Sequence, residues 1–578
     1  MINRYRAPVK LSDEAVRKCP RWQIIVLLVI ATVTAFFAHD LWTLREVTAQ
    51  ALASSMATHG LSGWLMPSLL NTPFTSINPM VDWIASALMG LVGQGGLFPI
   101  LSDIAIIRLT ADLFFLGTLI ALWFAARTFG KQNAVQPLTF AFGGEASPRD
   151  YARALGDITV LLFIATAGIL TRRHETIADT GMLFAASLNL WALAYSLRNP
   201  KKGALLAGAS TALMLFTGTL FAWVSSLIIN AWCFARIPTF GDERPTRLTS
   251  LGVAAIGLAL VWPVLSFLVA PETALLWWSD WLKAQAHTFH FAGLGPLLWL
   301  LRNGLWYTLP LWPLIIVAIV RWRRQRKEAE LRIPVIVTLV TLGMSFFSGN
   351  FGNNQVFLTF IPALALLAAF GLVTMRGRHR AILDWFAITV SFLALAIAWS
   401  YWFAWKTGMP IKMAQSMTML APGTPPLWDA GFIFAVIATL IWCGLAAWRF
   451  THRPPFVWTG AWLMAWGMTT GLAVWIGLFN MAVTTNRSYT PIAHSVNALF
   501  SALGGDKHEC LNTVNVPPGL AAYLGQKTGI EVVNAKVKMC HFTLVRLDKR
   551  AEKMSVPHNA AGPIARPHTN EFFYLMSD

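Results

Sequence analysis

Ala38-His39-Asp40-Leu41-Trp42-Thr43-Leu44-Arg45-Glu46 carries the chain out of its first apolar run, and Pro79-Met80-Val81-Asp82-Trp83 closes the segment it opens. The run before it, about residues 22–39, is long enough to cross a bilayer, which takes ~20 residues. Asp40 follows Phe36-Phe37-Ala38 directly. An unpaired carboxylate at a membrane boundary is costly unless it faces water, a partner or a substrate, so Asp40 is a functional candidate. Thr43-Leu44-Arg45-Glu46 has the form of a capping box that opens a helix with Leu44, Val47, Ala51 and Leu52 on one side. That helix is too short and too polar to span, so it is expected to lie in the interface. Gly63-Trp64-Leu65-Met66-Pro67 through Asn78-Pro79 is Pro-rich and aromatic, as suits a loop packed at headgroup level.

The rest of the composition agrees with a membrane setting. Of 578 residues 56% are hydrophobic and 12% charged, about half the charge density of a soluble domain. The net charge of +18 would suit nucleic acid, but the basic residues fall in short clusters between apolar spans, which is the positive-inside pattern. Arg4, Arg6, Lys10, Arg17, Lys18 and Arg21 precede a first span that is too long for a cleavable signal and lacks a small-residue cleavage site. The amino terminus is therefore expected in the cytoplasm.

About thirteen candidate spans follow at this length, near 22–39, 104–127, 152–170, 179–197, 203–217, 219–235, 249–270, 303–320, 333–347, 356–374, 382–404, 428–447 and 456–480. Residues 203–235 are nearly continuous and could instead be one long helix plus a short one. Clusters such as Arg198, Lys201 and Lys202, or Arg321 to Lys327, fall in the loops assigned inside. An odd number of spans divides the chain into a membrane domain, 1–482, with an outer loop at 40–103, and an outer domain, 483–578. The tail reads as a small α/β unit, with Pro517-Pro518-Gly519 opening a helix and β-rich runs at Ile530–Asn534 and His541–Leu547. Cys19, Cys233 and Cys443 fall near the cytoplasmic face; Cys510 and Cys540 lie outside, where a disulfide persists. Zinc held by His508, Glu509, Cys510, Cys540 and His541 is the weaker alternative, because the spacing fits no standard site.

Polar residues concentrate in the outer loops. Thr171-Arg172-Arg173-His174-Glu175 leads into Asp179 at the start of the fourth span. Two arginines there run against the positive-inside bias and suit an anionic headgroup, the alternative being a solvated turn with an Arg–Glu pair. Arg108 enters the second span and must snorkel or pair with an acid such as Asp103. The loop after the seventh span holds Trp277, Trp278, Asp280, Lys283, His287, His290 and Arg302; interfacial anchoring is the default there, with Lys283 and Arg302 as phosphate contacts. Asn353 and Asn354, before Phe360-Ile361-Pro362, offer amides to a sugar.

These residues together resemble the polyprenyl-phosphate-sugar-dependent glycosyltransferases of the GT-C class, in particular the lipid A aminoarabinose transferases and their protein mannosyltransferase relatives. Asp40 and Glu46 match acids of that family's first outer loop; Trp64 and Pro67 match its Trp-x-x-Pro pair; Phe74, Pro79, Met80 and Trp83 match its end. Arg108, Asp179, the run Leu206 to Gly218, and Phe360 to Ala365 match in order. Leu41 stands where the family has a second acid, Thr43-Leu44 where it has Arg-Tyr, and Ile77 and Thr217 where it has lysines. The resemblance implies an all-α polytopic membrane protein with interfacial helices in the first outer loop and a small α/β periplasmic domain. It implies an enzyme of the bacterial inner membrane that moves a sugar from a polyprenyl-phosphate carrier to a lipid, glycan or protein acceptor at the outer face. Asp40 and Asp179 would be catalytic; Glu46, Arg108, Arg172, Arg173, His174, Glu175, Lys283, Arg302, Asn353 and Asn354 would contact substrate. No metal ligands are assigned, no cofactor is required with certainty, and a divalent metal ion stays open. The partners are membrane lipids and substrates, not nucleic acid, and the chain is expected to be a monomer. Competing readings are a lipid or polysaccharide transporter or flippase, whose mark is broken helices and related halves, and a non-catalytic relative of the same class.

Overall fold

The computed structural model describes residues 7–16, 21–36, 40–77, 79–172, 177–291, 293–347, 358–375, 378–421, 428–451, 459–506, 508–534, 537–548, 560–567 and 569–577. The helices, in chain order, are α1 (Arg21–Phe36), α2 (Leu44–Thr58), α3 (Gly60–Leu65), α4 (Pro79–Val92), α5 (Asp103–Gly130), α6 (Pro148–Ile164), α7 (Ala167–Arg172), α8 (Ile177–Ser196), α9 (Pro200–Thr217), α10 (Leu220–Arg236) and α11 (Arg244–Val269). They continue with α12 (Pro271–Ala286), α13 (Gly295–Tyr307), α14 (Leu311–Arg321), α15 (Ala329–Ser345), α16 (Ile361–Leu372), α17 (Arg378–Thr407), α18 (Ile411–Leu420), α19 (Ala430–Thr451), α20 (Thr459–Arg487), α21 (Thr490–Ala502) and α22 (Pro518–Thr528).

Among the described residues five helical runs are long and apolar enough to cross a bilayer: α5, α11, residues 381–407 of α17, α19, and the α20–α21 run; a bent pair would make a sixth. In α11 and α19 only 17% and 11% of the apolar window is buried, whereas in α20 it is 78%. α20 is therefore central, and α11 turns Val253, Ile256, Leu260, Val264 and Leu268 outward. Apolar faces of that extent need lipid against them. The remaining expected spans are helices that are shorter or more polar.

Two expected spans are broken, and the breaks meet. The span foreseen at 152–170 divides into α6 and α7, and the one at 303–320 divides at Thr308–Pro310, where the two arms make an angle of 96°. A proline cannot continue the hydrogen-bond ladder, so the helix before it ends. Ala167 N–H then donates to the freed Leu309 carbonyl across the gap, at 2.9 Å. Gly168 is required there: a Cβ would lie 2.5 Å from the Tyr307 ring. Irregular backbone at membrane depth survives only when neighbours satisfy it in this way.

The segment between α1 and α5 packs inward. Both halves of the Thr43/Glu46 capping box form. Val47 and Ala51 of α2 join one apolar cluster, Leu52 and Met56 a second, and Ala49 and Ala53 a third. The sequence shows one apolar side; the fold covers three. Between α3 and α4, β1 (Ser68–Leu69) and β2 (Thr72–Pro73) form a hairpin whose turn residues Leu70 and Asn71 have φ of 54° and 58°. The tryptophans that read as interfacial anchors are instead structural. Trp262 Nε1–H donates to Leu65 O (2.9 Å) and Trp277 Nε1–H to Pro67 O (3.2 Å), so a buried cluster with Trp278 and Trp281 pins the hairpin.

The tail forms a five-stranded sheet of β3 (Cys510–Val514), β4 (Glu531–Val533), β5 (Phe542–Asp548), β6 (Ala560–Ala565) and β7 (Glu571–Ser577). Its order is β4-β3-β5-β7-β6, with β3 parallel to both neighbours and β7 antiparallel to both of its own. Cys510 and Cys540 are bridged, with Cα atoms 5.4 Å apart. The sheet shares its core with the segment around α2: Leu41, Val47 and Ala51 pack with Tyr489, Phe500, Leu520, Leu544 and Phe573. α22 lies so close on α2 that a Cβ at Gly519 would be 2.1 Å from Thr48 Oγ1.

Candidate functional site

Where α2, α4, the α9–α10 joint, the end of α12 and the start of α22 converge, they enclose a cleft of about 400 Å³. Leu44, Arg45 and Thr48 form one wall, Phe74, Ser76, Ile77 and Asp82 a second, Gly218, Thr219 and Gln285 the floor, and Pro517–Gly519 the roof. The volume is in the range of small-molecule sites, ~300–1,000 Å³. Ile77 lines it, as does Gly218 beside Thr217, the two positions compared above with lysines of the resembled family.

Its polar groups are held by ordinary helix chemistry. Thr219 caps α10 by accepting from Ala222 N–H (3.2 Å), and Gln285 Oε1 accepts from Leu220 N–H (3.0 Å). An α-helix therefore starts at the floor, where its dipole favours an anion. Arg45 is one-third exposed and reaches Asp179 Oδ1 at 3.4 Å, while Asp179 itself is buried. Asp82, in the first turn of α4, is buried and faces the cleft.

The candidates from the sequence separate into groups. Asp179 reaches the cleft through Arg45. Asp40 does not line it: Oδ2 accepts from Ser488 Oγ and Thr490 Oγ1 (both 2.5 Å), and Oδ1 accepts from Leu41 N–H (2.8 Å). Thr490 Oγ1 also meets Tyr523 OH at 3.0 Å, and burial pushes that phenol up to about 12. Asp40, a functional candidate in the sequence, thus joins the start of the α2 segment to the α20–α21 junction and, through Thr490, to α22. Glu46 and Arg108 also lie away from the cleft. They form an ion pair of 2.8 Å with both side chains almost fully buried, so Arg108 pairs with Glu46 rather than with Asp103, which meets Gln50 at 3.5 Å.

Lys283 points outward, is mostly exposed, and pairs with Asp280 on its own helix (3.0 Å). Arg302 is exposed on α13, and His290 Nδ1 lies 3.3 Å from the His287 carbonyl. Arg172 closes α7; Arg173, His174, Glu175, Asn353 and Asn354 lie outside the described residues. Among the described residues no three His, Cys, Asp or Glu side chains gather as a metal site. Arg45, Asp82, Thr219 and Gln285 were not singled out in the sequence. A signal for Asp82 existed, an acid in the first turn of an apolar helix, but it reads equally as a dipole partner.

This architecture is a GT-C-type fold. The chain is similar throughout to ArnT from Cupriavidus metallidurans, in the crystal structure bound to undecaprenyl phosphate (TM-score 0.66) and in the apo state (TM-score 0.64), at 14% sequence identity. In both cases 96% of this chain and 97% of that chain are covered. No family model and no curated sequence matches the chain. The shared fold explains why the resemblance rests on order and spacing: topology persists where side chains have changed.

Proposed function

We propose that the protein is a membrane glycosyltransferase that takes a sugar from a polyprenyl-phosphate carrier at the outer face of a bacterial inner membrane, with the α2/α4/α22 cleft as the transfer site. The observation that supports this most is that Arg45, the α10 start and the buried Asp82 line one cleft, in a fold also found in a protein crystallised with undecaprenyl phosphate. Lipid phosphate is a competent leaving group, so the chain's task is to place the donor, neutralise the departing anion and remove one proton from a hydroxyl acceptor. Arg45, held by Asp179, binds the phosphate, and a guanidinium suits that anion bidentately. Asp82 takes the acceptor proton. Asp40 acts as a positioning residue by fixing α21 and α22 over the cleft.

The test is sugar transfer from labelled polyprenyl-phosphate sugars in vesicles, with donor binding measured in parallel. Asp82→Asn should keep donor binding and lose ~10²–10⁴-fold in rate, as removal of a general base does. Arg45→Gln should lose donor binding. Normal transfer by a folded Asp82→Asn variant would remove the base assignment, and unchanged donor binding in Arg45→Gln would place the phosphate elsewhere. The broken α13–α14 pair keeps the transporter reading testable in the same vesicles: translocation of the lipid without sugar transfer would favour it.

A further inference from the structure

A second cavity, lined by Trp42, shares no lining residue with the cleft. It is a groove of about 470 Å³ between α17, α18 and α20, walled mainly by Tyr401, Leu420, Trp475, Phe479 and Val483. Its mouth is formed by Trp42 and by Arg487, the last residue of α20. The Arg487 guanidinium is exposed, stacks on the Trp42 ring at 5.1 Å, and has no carboxylate partner among the described residues. Asn480, seven residues earlier and so about 10 Å deeper along the helix, lines the same wall, and its buried Oδ1 has no hydrogen-bond partner.

We propose that this groove holds one acyl chain of an anionic phospholipid, with the lipid phosphate on Arg487. Four observations select this occupant. The groove is cut into the flank of helices long and apolar enough to cross a bilayer, so lipid is the solvent it meets. An apolar trough that ends at an unneutralised guanidinium and an indole has the polarity of an acyl chain ending in a phosphate at headgroup level. Asn480 places a polar group in this wall, and its Nδ2, not the unpartnered Oδ1, can donate to an ester carbonyl, a group that an isoprenoid phosphate lacks. Finally, the mouth is braced from behind. Arg566 donates to the carbonyls of Arg487 and Trp42 while its Nη1 pairs with Glu571 of β7 at 2.7 Å. A lipid bound there steadies the same joint that carries the outer sheet, and a ligand that binds only the folded state raises its stability. The site is independent of the transfer reaction.

The experiment uses the full-length protein, delipidated in detergent, with native mass spectrometry and thermal unfolding. Phosphatidylglycerol, phosphatidylcholine of the same acyl chains, and undecaprenyl phosphate are added at equal mole fraction. Phosphatidylglycerol should be retained preferentially and raise the melting temperature most. Arg487→Gln should lower its retention about tenfold, the cost of one charged contact, and lower that of phosphatidylcholine less, because the choline cation already offsets its phosphate. Val483→Trp, which fills the groove from its wall, should exclude both while the protein stays monodisperse; it decides the matter if Arg487→Gln fails to fold. Equal retention of the two phospholipids, or unchanged retention in either variant, would overturn the proposal. Displacement of phosphatidylglycerol by undecaprenyl phosphate would overturn it too, because the groove would then belong to an isoprenoid lipid.

Discussion

Glu46 shows how much a residue's surroundings add to its local pattern. In the sequence it is half of a capping box; in the fold its other oxygen meets Arg108 in a buried pair. Burial pushes the Glu46 carboxyl up to about 7, against the pull of Arg108 and of the Trp42 and Thr43 donors. The folded state therefore holds a proton on Glu46 more tightly than the unfolded chain does. That contribution is fully present below the unfolded value near 4.5 and is lost as pH rises through about 7. The wild type should lose stability relative to Glu46→Gln between pH 5 and pH 8, as read from thermal unfolding across that range; a constant difference would show the pair to be ionised throughout. Asp40 makes the opposite case. Its oxygens accept from Ser488, Thr490 and Leu41, so it is a tether, and Asp40→Ala should cost ~1–3 kcal/mol of stability and loosen the α22 roof, whereas Asp82→Asn should act chiefly on transfer rate. Thermal unfolding alongside transfer rate separates the two acids.

Among the elements, the meeting of the two broken spans is the feature that periodicity could not disclose. A proline such as Pro310 disfavours helix in the residue before it, but only the fold shows that the first N–H of α7 satisfies Leu309. Gly168 lets the Tyr307 ring approach the α7 backbone, with no room for a side chain. Gly168→Val should overpack this joint and cost ~1–3 kcal/mol, seen as lower melting temperature and yield in detergent. A Tyr307→Ala change in the same chain should restore part of the loss, since it removes the clashing ring. Failure of the pair to compensate would mean that the joint rearranges rather than packs.

For the molecule as a whole, the start of α22 roofs the cleft, and the five-stranded sheet shares its core with α2. The Cys510–Cys540 bridge fixes β3 beside the entry to β5 and closes a separation of 30 residues. Bridges of this loop size contribute ~2–4 kcal/mol. Replacing both cysteines by Ser should loosen the sheet, increase protease cutting after residue 500, and reduce transfer without abolishing donor binding. Equal loss of donor binding would mean that the sheet supplies more than the roof.

Much of this protein follows from short-range rules that need no partner. Apolar runs of bilayer length, basic clusters between them, a capping box at Thr43 and a Pro-Pro-Gly helix start are each contained within a few residues, so they read from the sequence directly. The order and spacing of the outer-loop residues also carried the GT-C resemblance, which the fold shares. The tertiary structure alone decided which acids face the cleft. Asp40 lies 448 residues from Ser488, and Arg45 lies 134 from Asp179. No local pattern encodes pairings over such separations; they exist only once α2 is buried between three cores, and that burial turns Asp40 and Glu46 into struts and leaves Arg45 and Asp82 facing the open space.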